Sequence, residues 1–435
     1  DSVRIFAAAR LAQSGEAASA QRAHADWYAE RAAWCALHVR SPEQPVCMRF
    51  ARDERADLDV AIAWAQSHQP ATSVAIVLGM AWTWVVLGDG TAGASRIRQA
   101  LVGAAPSREL AEGRLAAVWL EASTGDLGLA LDALRLADDL AAELDDALLV
   151  ADVHWNRAFV AIQQGDAARA CDESAAALER YRRLGSDWSI ASGLLLAAYG
   201  ALMAGDVAAA RAHAAEAVVL LGPLGDGWGM IHGQGIVGQV ALAENRLDEA
   251  ARALEVAADA SSSLGFDGQA ALHRASLARC LARAGDPAAG AAFERALHDA
   301  AAVADGRLKA TIRLQLARLL RSKGEARRVA GLLHDNERWY AASGGGDLAL
   351  LNQVEIAALE RNRGGLESLL ASAREAHDIE CVVSALDALA RLVADSDPSR
   401  ARELLTEGDE LIGTAPYLIH HTERYDAVAV RAALG

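Results

Sequence analysis

The sequence has few of the residues that interrupt helices, few aromatic residues and almost no lysine. Among its 435 residues there are 8 prolines, and aromatic residues make up 5% although hydrophobic residues reach 53%. Alanine, the strongest helix former, supplies much of that difference. Alternating runs of β-branched and aromatic residues, which predict strands, are rare. We therefore expect an almost purely helical protein.

Positive charge is also in deficit. Lysine and arginine number 42 against 58 aspartates and glutamates, which gives a net charge of −16 at pH 7. Lys309 and Lys323 are the two lysines, so nearly all basic residues are arginines, which together with the alanine excess is typical of a GC-rich bacterial genome. An acidic surface repels the phosphate backbone, so we expect no direct nucleic-acid binding by this chain.

Motifs for catalysis, metal binding and membrane insertion are missing from the sequence. The 5 cysteines are dispersed and form no C-x-x-C pair, which predicts buried thiols in a reducing cytoplasm. No P-loop, H-E-x-x-H or G-x-S-x-G motif occurs. The longest apolar run, residues 73–88, is short and broken by glycine. We expect no catalytic residue, metal, cofactor or membrane partner, and a cytoplasmic location.

A repeat of about 40 residues is marked by two series of turn residues. The first marks are Gly125, Gly165, Gly205 and Gly285, each followed by aspartate, with Asn245 at the missing step. The second marks are the Leu-Gly pairs at 184–185, 224–225 and 264–265. Glycine and asparagine tolerate the left-handed conformation that ends a helix, and aspartate caps the next helix. Each repeat is thus predicted to contain two antiparallel helices.

Small residues recur at fixed distances from the first marks. Examples are Ala158 before and Ala170 after Gly165, where two helices would cross closely. This arrangement resembles the tetratricopeptide repeat, with a longer period and without its closing proline. The resemblance implies an all-α, superhelical solenoid of antiparallel helix pairs over residues 71–435. A HEAT-like solenoid has a similar period and is the alternative.

Gly233, Gly235 and Gly238 have the G-x-G-x-x-G spacing of a dinucleotide-binding turn. That turn needs a preceding strand and a helix that begins at the third glycine. Here the motif falls in the middle of a predicted first helix, and Gly238 takes the small crossing position. The sequence therefore predicts packing at Gly238 and no dinucleotide. Gly233 and Gly235 are expected at a kink or a ligand approach, and Gly235→Ala should stabilise the fold if no neighbour needs the space.

Residues 1–70 do not follow the repeat, and two segments of them carry a different pattern. The matching residues are His24, Ala25, Trp27 and Tyr28, then Glu54, Leu58, Ala61, Ile62, Trp64 and Ala65. They resemble a helical junction of bacterial STAND-ATPase transcriptional regulators of the LuxR, antibiotic-regulator and maltose-regulator types. In that family the junction follows a winged-helix and ATPase part and leads into helical repeats.

The family resemblance implies a sensor or interaction arm of a longer protein. Its ATPase and DNA-binding modules would be partners within the same chain, and neither is visible in this sequence. We expect a ligand- or protein-binding arm of a signal-responsive regulator. The alternative is a protein–protein docking scaffold without a small-molecule effector.

Binding is predicted on the concave face lined by the first helix of each pair. Counting back in four-residue steps from the first marks, and adding the tryptophans that begin two first helices, selects Trp119, Trp155, Phe159, Gln163, Trp188, Tyr199, Trp228, Gln239, Arg279, Arg283 and Arg318. The set changes from aromatic to arginine-rich, which fits a protein, a peptide or a small apolar or anionic effector. Packing between repeats is the alternative role of the aromatics. An enclosure among Trp119, Trp155 and Tyr199 would favour an effector, and a long open groove would favour a scaffold.

Overall fold

The computed structural model describes residues 10–11, 13–301, 303, 305–343, 348–414 and 421–435. Within these residues the chain forms 22 α-helices and one short 3-10 turn, and it contains no β-strand. The predicted all-α fold class is therefore confirmed. The chain divides into two compact units, Asp1–Gly233 and Gln234–Gly435, and each is described by itself.

Unit 1 contains eleven helices and the beginning of a twelfth. They are α1 Ala17–His38, α2 Gln44–Asp53, α3 Arg55–His68, α4 Pro70–Leu87, α5 Gly90–Ala100, α6 Arg108–Ser123, α7 Leu127–Leu144, α8 Ala147–Gln164, α9 Ala167–Leu184, α10 Asp187–Met203, α11 Val207–Leu224 and α12 Gly227–Ala243. From α4 onward the helices pair in sequence as α4/α5, α6/α7, α8/α9 and α10/α11. The even-numbered member of each pair is the first helix of a repeat.

Unit 2 continues the same alternation from within α12. Its helices are α13 Leu247–Ser263, α14 Asp267–Arg283, α15 Ala289–Ala301, α16 Gly306–Ser322, α17 Ala326–Ser343, α18 Ala349–Leu359, α19 Arg363–Glu375, α20 Ile379–Val393, α21 Pro398–Thr414 and α22 Tyr425–Leu434. A 3-10 turn, His421–Glu423, precedes α22. Consecutive helices pack on one another, and α22 packs on α20 and α16.

The predicted turn marks end and begin helices as expected. Gly165 has φ +74° at the end of α8, and the Asp166 side chain accepts a hydrogen bond from the backbone N–H of Arg169 at 3.0 Å. Asn245 takes the same left-handed conformation, with φ +56°. The first series of marks thus lies in the loop within each helix pair, and the second series lies in the loop that leads to the next pair. The marks could be predicted because helix caps and left-handed turns depend on local backbone chemistry.

The predicted crossing points are closely packed. Ala158 and Ala198 in unit 1 and Ala278 in unit 2 have no exposed surface. A Cβ atom added to Gly238 would lie 2.6 Å from Leu254 Cγ, which leaves room only for glycine. The three glycines of the dinucleotide-like motif all lie inside α12, so the predicted packing role of Gly238 is confirmed.

Gly235 has a neighbour that the sequence did not reveal. A Cβ atom at Gly235 would lie 2.8 Å from Cε1 of His273, a side chain of α14 that is 6% exposed. The expected stabilisation by Gly235→Ala assumed free space at this position. The structure corrects that assumption, because the imidazole ring packs directly over the glycine.

Helices α4 and α11 are long and apolar enough to cross a membrane by length and composition alone. The apolar run judged too short in the sequence extends over 18 residues, Pro70–Leu87, with a mean hydropathy of 1.7. About half of α4 is buried in unit 1, which is also typical of a core helix. The expectation of no membrane partner and a cytoplasmic location stays a prediction.

Helices α1–α3, which include the predicted junction segments, belong to unit 1. Tyr28 on α1 donates a hydrogen bond to Oε2 of Glu54, the residue before α3, at 2.6 Å. This contact joins the two segments that carry the family resemblance. The division into a junction at 1–70 and a repeat region at 71–435 stays a prediction.

Candidate functional site

Five tryptophans meet in unit 1, one from each of five successive first helices. They are Trp82 on α4, Trp119 on α6, Trp155 on α8, Trp188 on α10 and Trp228 on α12. We call this group the tryptophan cage. It forms because a residue at the same face of each first helix is carried to one side of the helix array by the repeat.

Trp82 lies at the centre of the cage. Its ring centroid is 5.1 Å from that of Trp188 and 5.5 Å from that of Trp228, in edge-to-face arrangements. It is 6.1 Å from both Trp119 and Trp155, which stack on each other at 4.7 Å. These separations are those of favourable aromatic pairs, so the rings hold one another in place.

All the cage tryptophans except Trp228 line a cavity of about 320 Å³. Apolar walls come from the cage and from small residues such as Ala116. Polar groups also line it, namely Arg40, Glu112, Asp152, Asn156, Tyr181 and Ser189. Aromatic walls combined with convergent polar groups are common in small-ligand sites.

Arg40, from the turn after α1, extends between two of the cage rings. Its guanidinium carbon lies 3.5 Å from the ring centroid of Trp188 and 4.6 Å from that of Trp82. The side chain keeps solvent access through the cavity although protein surrounds it on most sides. This loss of hydration lowers the pKa of Arg40 to about 10, which leaves it positively charged at neutral pH.

The acidic side of the cavity centres on Asp152. Burial raises the pKa of Asp152 to about 6, and Tyr181 opposes this by donating a hydrogen bond of 2.6 Å to Asp152 Oδ1. The negative charges of Asp152, Asp226 and Glu112 all favour the charged form of Arg40. The cavity thus offers a region of negative potential beside the tryptophan rings.

The turn that carries Arg40 is anchored on the loop between α11 and α12. Gln44 Nε2 donates to Asp226 Oδ1 at 2.8 Å and to the Val39 carbonyl at 2.6 Å, and Gln44 Oε1 accepts from the Trp228 backbone N–H at 2.9 Å. Asp226 also accepts from Trp188 Nε1 at 2.9 Å. Gln44 and Asp226 are fully buried, so these hydrogen bonds fix the turn against the cage.

The sequence-predicted aromatic residues are partly brought together. Trp119, Trp155, Trp188 and Trp228 belong to the cage, and Phe159 stacks on Trp119 at 3.6 Å. Phe159 and Trp228 pack against the lining tryptophans without lining the cavity themselves, and Gln163 and Tyr199 do not line it either. Gln163 is exposed near the end of α8, and burial raises the pKa of Tyr199 on α10 to about 12.

The remaining predicted residues lie in unit 2, where they have internal partners. Arg279 and Arg283 both donate to Glu423, at 2.9 Å and 2.6 Å, and Arg283 is almost fully buried. Arg318 pairs with Glu355 at 3.2 Å and Glu380 at 3.0 Å. Gln239 Nε2 donates to Ser276 Oγ at 3.1 Å. The predicted binding of an anionic effector by these arginines stays a prediction. An effector would have to compete with the carboxylates that pair with the arginines in this unit.

Several cavity residues were absent from the sequence-based set. Trp82 lies six residues before Gly88, the same offset that selects Trp119 from Gly125, so the repeat rule applied one step earlier finds it. Asp152 lies on a first helix outside the selected stripe, and Arg40 lies outside the repeats. No periodic signal identifies these two residues.

Comparison with known proteins finds similarity in structure but not in sequence. No protein-family model matches the chain, and no curated protein matches it. A Rap protein complexed with Competence and Sporulation Factor has a TM-score of 0.63 at 12% identity, covering 79% of this chain and 99% of that chain. Aspartyl phosphate phosphatase F from Bacillus subtilis has a TM-score of 0.57 at 8% identity, covering 80% of this chain and 96% of that chain.

A STAND protein with a tetratricopeptide repeat sensor from Pyrococcus horikoshii is also similar. Its TM-score is 0.43 at 11% identity, with 78% of this chain and 52% of that chain covered, which is too low to support an inference. At these identities the similarities concern the fold alone. This chain has a tetratricopeptide-like, helical-repeat solenoid fold.

Proposed function

We propose that this chain is a ligand-binding sensor arm that receives its ligand in the cavity of the tryptophan cage. The observation that carries the proposal is the convergence of tryptophans from four successive repeats on a cavity of about 320 Å³, with the fifth tryptophan, Trp228, packed against two of them. That volume lies at the lower end of the range for small-molecule sites. It suits a small effector or one or two side chains of a peptide.

The small size of the cavity favours an effector over a plain docking scaffold, although Tyr199 does not complete the predicted enclosure with Trp119 and Trp155. A scaffold needs an open surface, because interfaces between folded proteins bury on the order of 800 Å² on each partner. The cage instead lines a small, half-open cavity, and Arg40 and Asp152 face it. The polar groups would orient the ligand, and the tryptophans would supply most of the buried area.

We infer from the junction pattern that the arm belongs to a signal-responsive regulator. Tyr28 and Glu54, which belong to the two segments that resemble the STAND-regulator junction, are joined by a hydrogen bond of 2.6 Å. Ligand binding acts on attached ATPase and DNA-binding modules only through a difference in affinity between two arrangements of the arm. The turn 39–44 is where such a difference would arise, because it joins α1 to the cage.

A structural neighbour gives independent support for a binding role. The similar Rap protein was solved in complex with Competence and Sporulation Factor, so a fold of this kind accommodates a ligand in that protein. For this chain the corresponding proposal is binding without catalysis. The partner is a peptide, a protein segment or a small effector that reaches the cavity.

The test is a ligand screen with the full chain and a cavity-filling variant. Amino-acid amides, short peptides and small organic anions are screened by thermal shift and by quenching of tryptophan fluorescence. Ala116→Leu fills the cavity from its wall, and Ala142→Leu, at an exposed position of α7, is the matched control. Ligands of the cage should lose about tenfold or more in affinity with Ala116→Leu and nothing with Ala142→Leu.

Two further variants locate the site. Trp119→Ala removes a cage ring, and Arg279→Ala removes a predicted anion contact in unit 2. Loss of binding with Trp119→Ala alone supports the cage as the sensor site. If every ligand found binds equally well to Ala116→Leu, Trp119→Ala and wild type, the proposed sensor function is wrong.

A further inference from the structure

We propose that the tryptophan cage is a receptor for a guanidinium group, that Arg40 occupies it in the free protein, and that the ligand is an arginine-bearing peptide or a small guanidinium compound that replaces Arg40. This inference rests on the proposed sensor function and specifies the chemistry of its ligand. It assigns Arg40 the role of an internal, displaceable ligand.

The geometry around Arg40 is that of a cation-binding aromatic site. The guanidinium carbon is 3.5 Å from the Trp188 centroid and 4.6 Å from the Trp82 centroid, and these two rings are nearly perpendicular at 88°. One ring is close enough for stacking, and the other contributes its electron-rich face. A planar guanidinium fits this arrangement better than a compact ammonium group, because it stacks on aromatic rings.

The charges around the cage also favour a cation. Asp152, Asp226 and Glu112 act on Arg40 from three different helices or loops. Asp226 is held by Gln44 and Trp188, which are neutral donors, and Asp152 by the hydroxyl of Tyr181. Removing Arg40 would leave Asp152 beside the cavity without this cation, whereas Glu112 keeps Arg108 as an ion-pair partner at 2.8 Å. A buried carboxylate that loses a cation is costly unless another cation enters.

Arg40 is held loosely compared with the buried arginines of this protein. Among the described residues it forms no ion pair and no hydrogen bond, and its side chain is exposed to the cavity. Arg424 in unit 2, in contrast, is 1% exposed and is paired with Asp387. An arginine held by ring contacts and by the field of nearby carboxylates, without a direct ion pair, can be replaced by a second guanidinium that makes the same interactions.

Replacement of Arg40 would be transmitted to the junction helices. Arg40 lies one residue after Val39, whose carbonyl accepts from Gln44, and Gln44 anchors the turn on Asp226 and Trp228. A ligand that displaces the Arg40 side chain therefore acts on the turn that connects α1 to α2. This would couple occupancy of the cage to the position of the junction.

The test compares wild type with Arg40→Ala, using the full chain and three probes. The probes are N-acetyl-arginine amide, its neutral isostere N-acetyl-citrulline amide, and N-acetyl-lysine amide, followed by calorimetry and tryptophan fluorescence. Arg40→Ala should bind the arginine probe about tenfold more tightly than wild type, because the internal competitor is gone. The arginine probe should exceed both other probes by about tenfold.

Second-site variants in the Arg40→Ala background identify the location. Trp188→Phe keeps an aromatic ring, weakens the cation contact and also removes the Nε1–H donor to Asp226, so its effect is read together with that of Asp152→Asn. Asp152→Asn removes the charge while retaining an acceptor for Tyr181. Each should weaken arginine binding by about tenfold. Circular dichroism and thermal melts confirm that the variants are folded.

The inference is overturned if folded Arg40→Ala does not bind the arginine probe, or binds citrulline or lysine equally well. It is also overturned if Trp188→Phe and Asp152→Asn leave the affinity unchanged. If a ligand from the screen loses affinity in Ala116→Leu, but Arg40→Ala does not bind the arginine probe more tightly, the guanidinium inference is wrong and the sensor function is supported. If the screen finds no cage ligand and the arginine probe does not bind, both proposals are wrong.

Discussion

Gln44 and Asp226, which are 182 residues apart in the sequence, are joined by a hydrogen bond of 2.8 Å from Gln44 Nε2 to Asp226 Oδ1. Both side chains are fully buried, and the same amide group accepts from the backbone N–H of Trp228. One side chain thus satisfies a buried carboxylate and a helix-terminal donor. It ties the junction to the fifth tryptophan of the cage.

Gln44→Ala should destabilise unit 1 substantially. The change leaves Asp226 without one donor and the Trp228 N–H without its acceptor, and each buried polar group left unpaired costs about 1–3 kcal/mol. The loss is measured by urea unfolding followed by tryptophan fluorescence. The control is Gln66→Ala, which removes an exposed hydrogen bond of 2.7 Å to the Gln99 carbonyl and should cost about 0.5 kcal/mol or less. Equal losses for the two variants would contradict the anchoring role of Gln44.

Gly235→Ala should destabilise unit 2, in contrast to the expectation from sequence. Alanine gains about 1 kcal/mol of helix propensity, but its Cβ would meet His273 Cε1 at 2.8 Å, and overpacking of this kind costs about 1–3 kcal/mol. Gly331→Ala on α17 is the matched control, because no atom lies within 4 Å of its added Cβ. Thermal denaturation should show Gly331→Ala stabilised by about 1 kcal/mol and Gly235→Ala destabilised. A stabilised Gly235→Ala would mean that His273 yields its position freely.

His273 should make unit 2 sensitive to acid. Burial lowers the pKa of His273 from 6.5 to about 4, and its ring nitrogens have no hydrogen-bond partner among the described residues. Between these two pH values the unfolded chain binds the proton more strongly than the folded chain, so stability falls as pH falls. The free energy of unfolding falls by about 3 kcal/mol when the pH has fallen from the ordinary pKa of histidine to that of His273 in the folded protein.

The measurement is the free energy of unfolding of wild type and His273→Leu from pH 7 to pH 4. The variant should gain on wild type as the pH falls, because leucine takes up no proton. His334→Leu, at an exposed position of α17, is the matched control for replacing a histidine by leucine. Parallel pH profiles for His273→Leu and wild type would show that the buried imidazole does not titrate in this window.

Glu423→Gln should be strongly destabilising in unit 2. Burial by itself raises the pKa of Glu423, but Arg279 and Arg283 outweigh it and hold this pKa well below its ordinary value. Loss of the charge leaves Arg283, which is 3% exposed, without its carboxylate, and such losses cost about 3–5 kcal/mol. The exposed pair Arg183–Glu179 provides the control, since Glu179→Gln should change stability by about 0.5 kcal/mol or less.

Chemical denaturation measured above pH 6 checks this prediction, because the Glu423 carboxylate of wild type is then ionised in both the folded and the unfolded state. Since its folded-state pKa is lowered, the contribution of Glu423 is present above its ordinary pKa and is lost as the pH falls below it. The difference between variant and wild type should therefore shrink in acid. A difference that is small at pH 7 would mean that solvent replaces the carboxylate without cost.

The sequence alone determined the helix pairs and the places where they turn. Gly165, Asp166 and Asn245 were identified correctly because capping and left-handed turns depend on a few neighbouring residues. The repeat also located four of the five cage tryptophans, and its rule extends to Trp82. Residues at equivalent positions of successive repeats lie on the same side of the array, because each repeat packs on the next.

Only the tertiary structure decided what meets those faces. Arg40 enters the cage, His273 covers Gly235, and Glu423 neutralises Arg279 across 144 residues of sequence. Arg40 precedes the repeats and Glu423 lies in a 3-10 turn between two helices, so no periodic pattern records their positions. Their places are set by which buried charges and rings need a partner, and that is known only when the chain has folded.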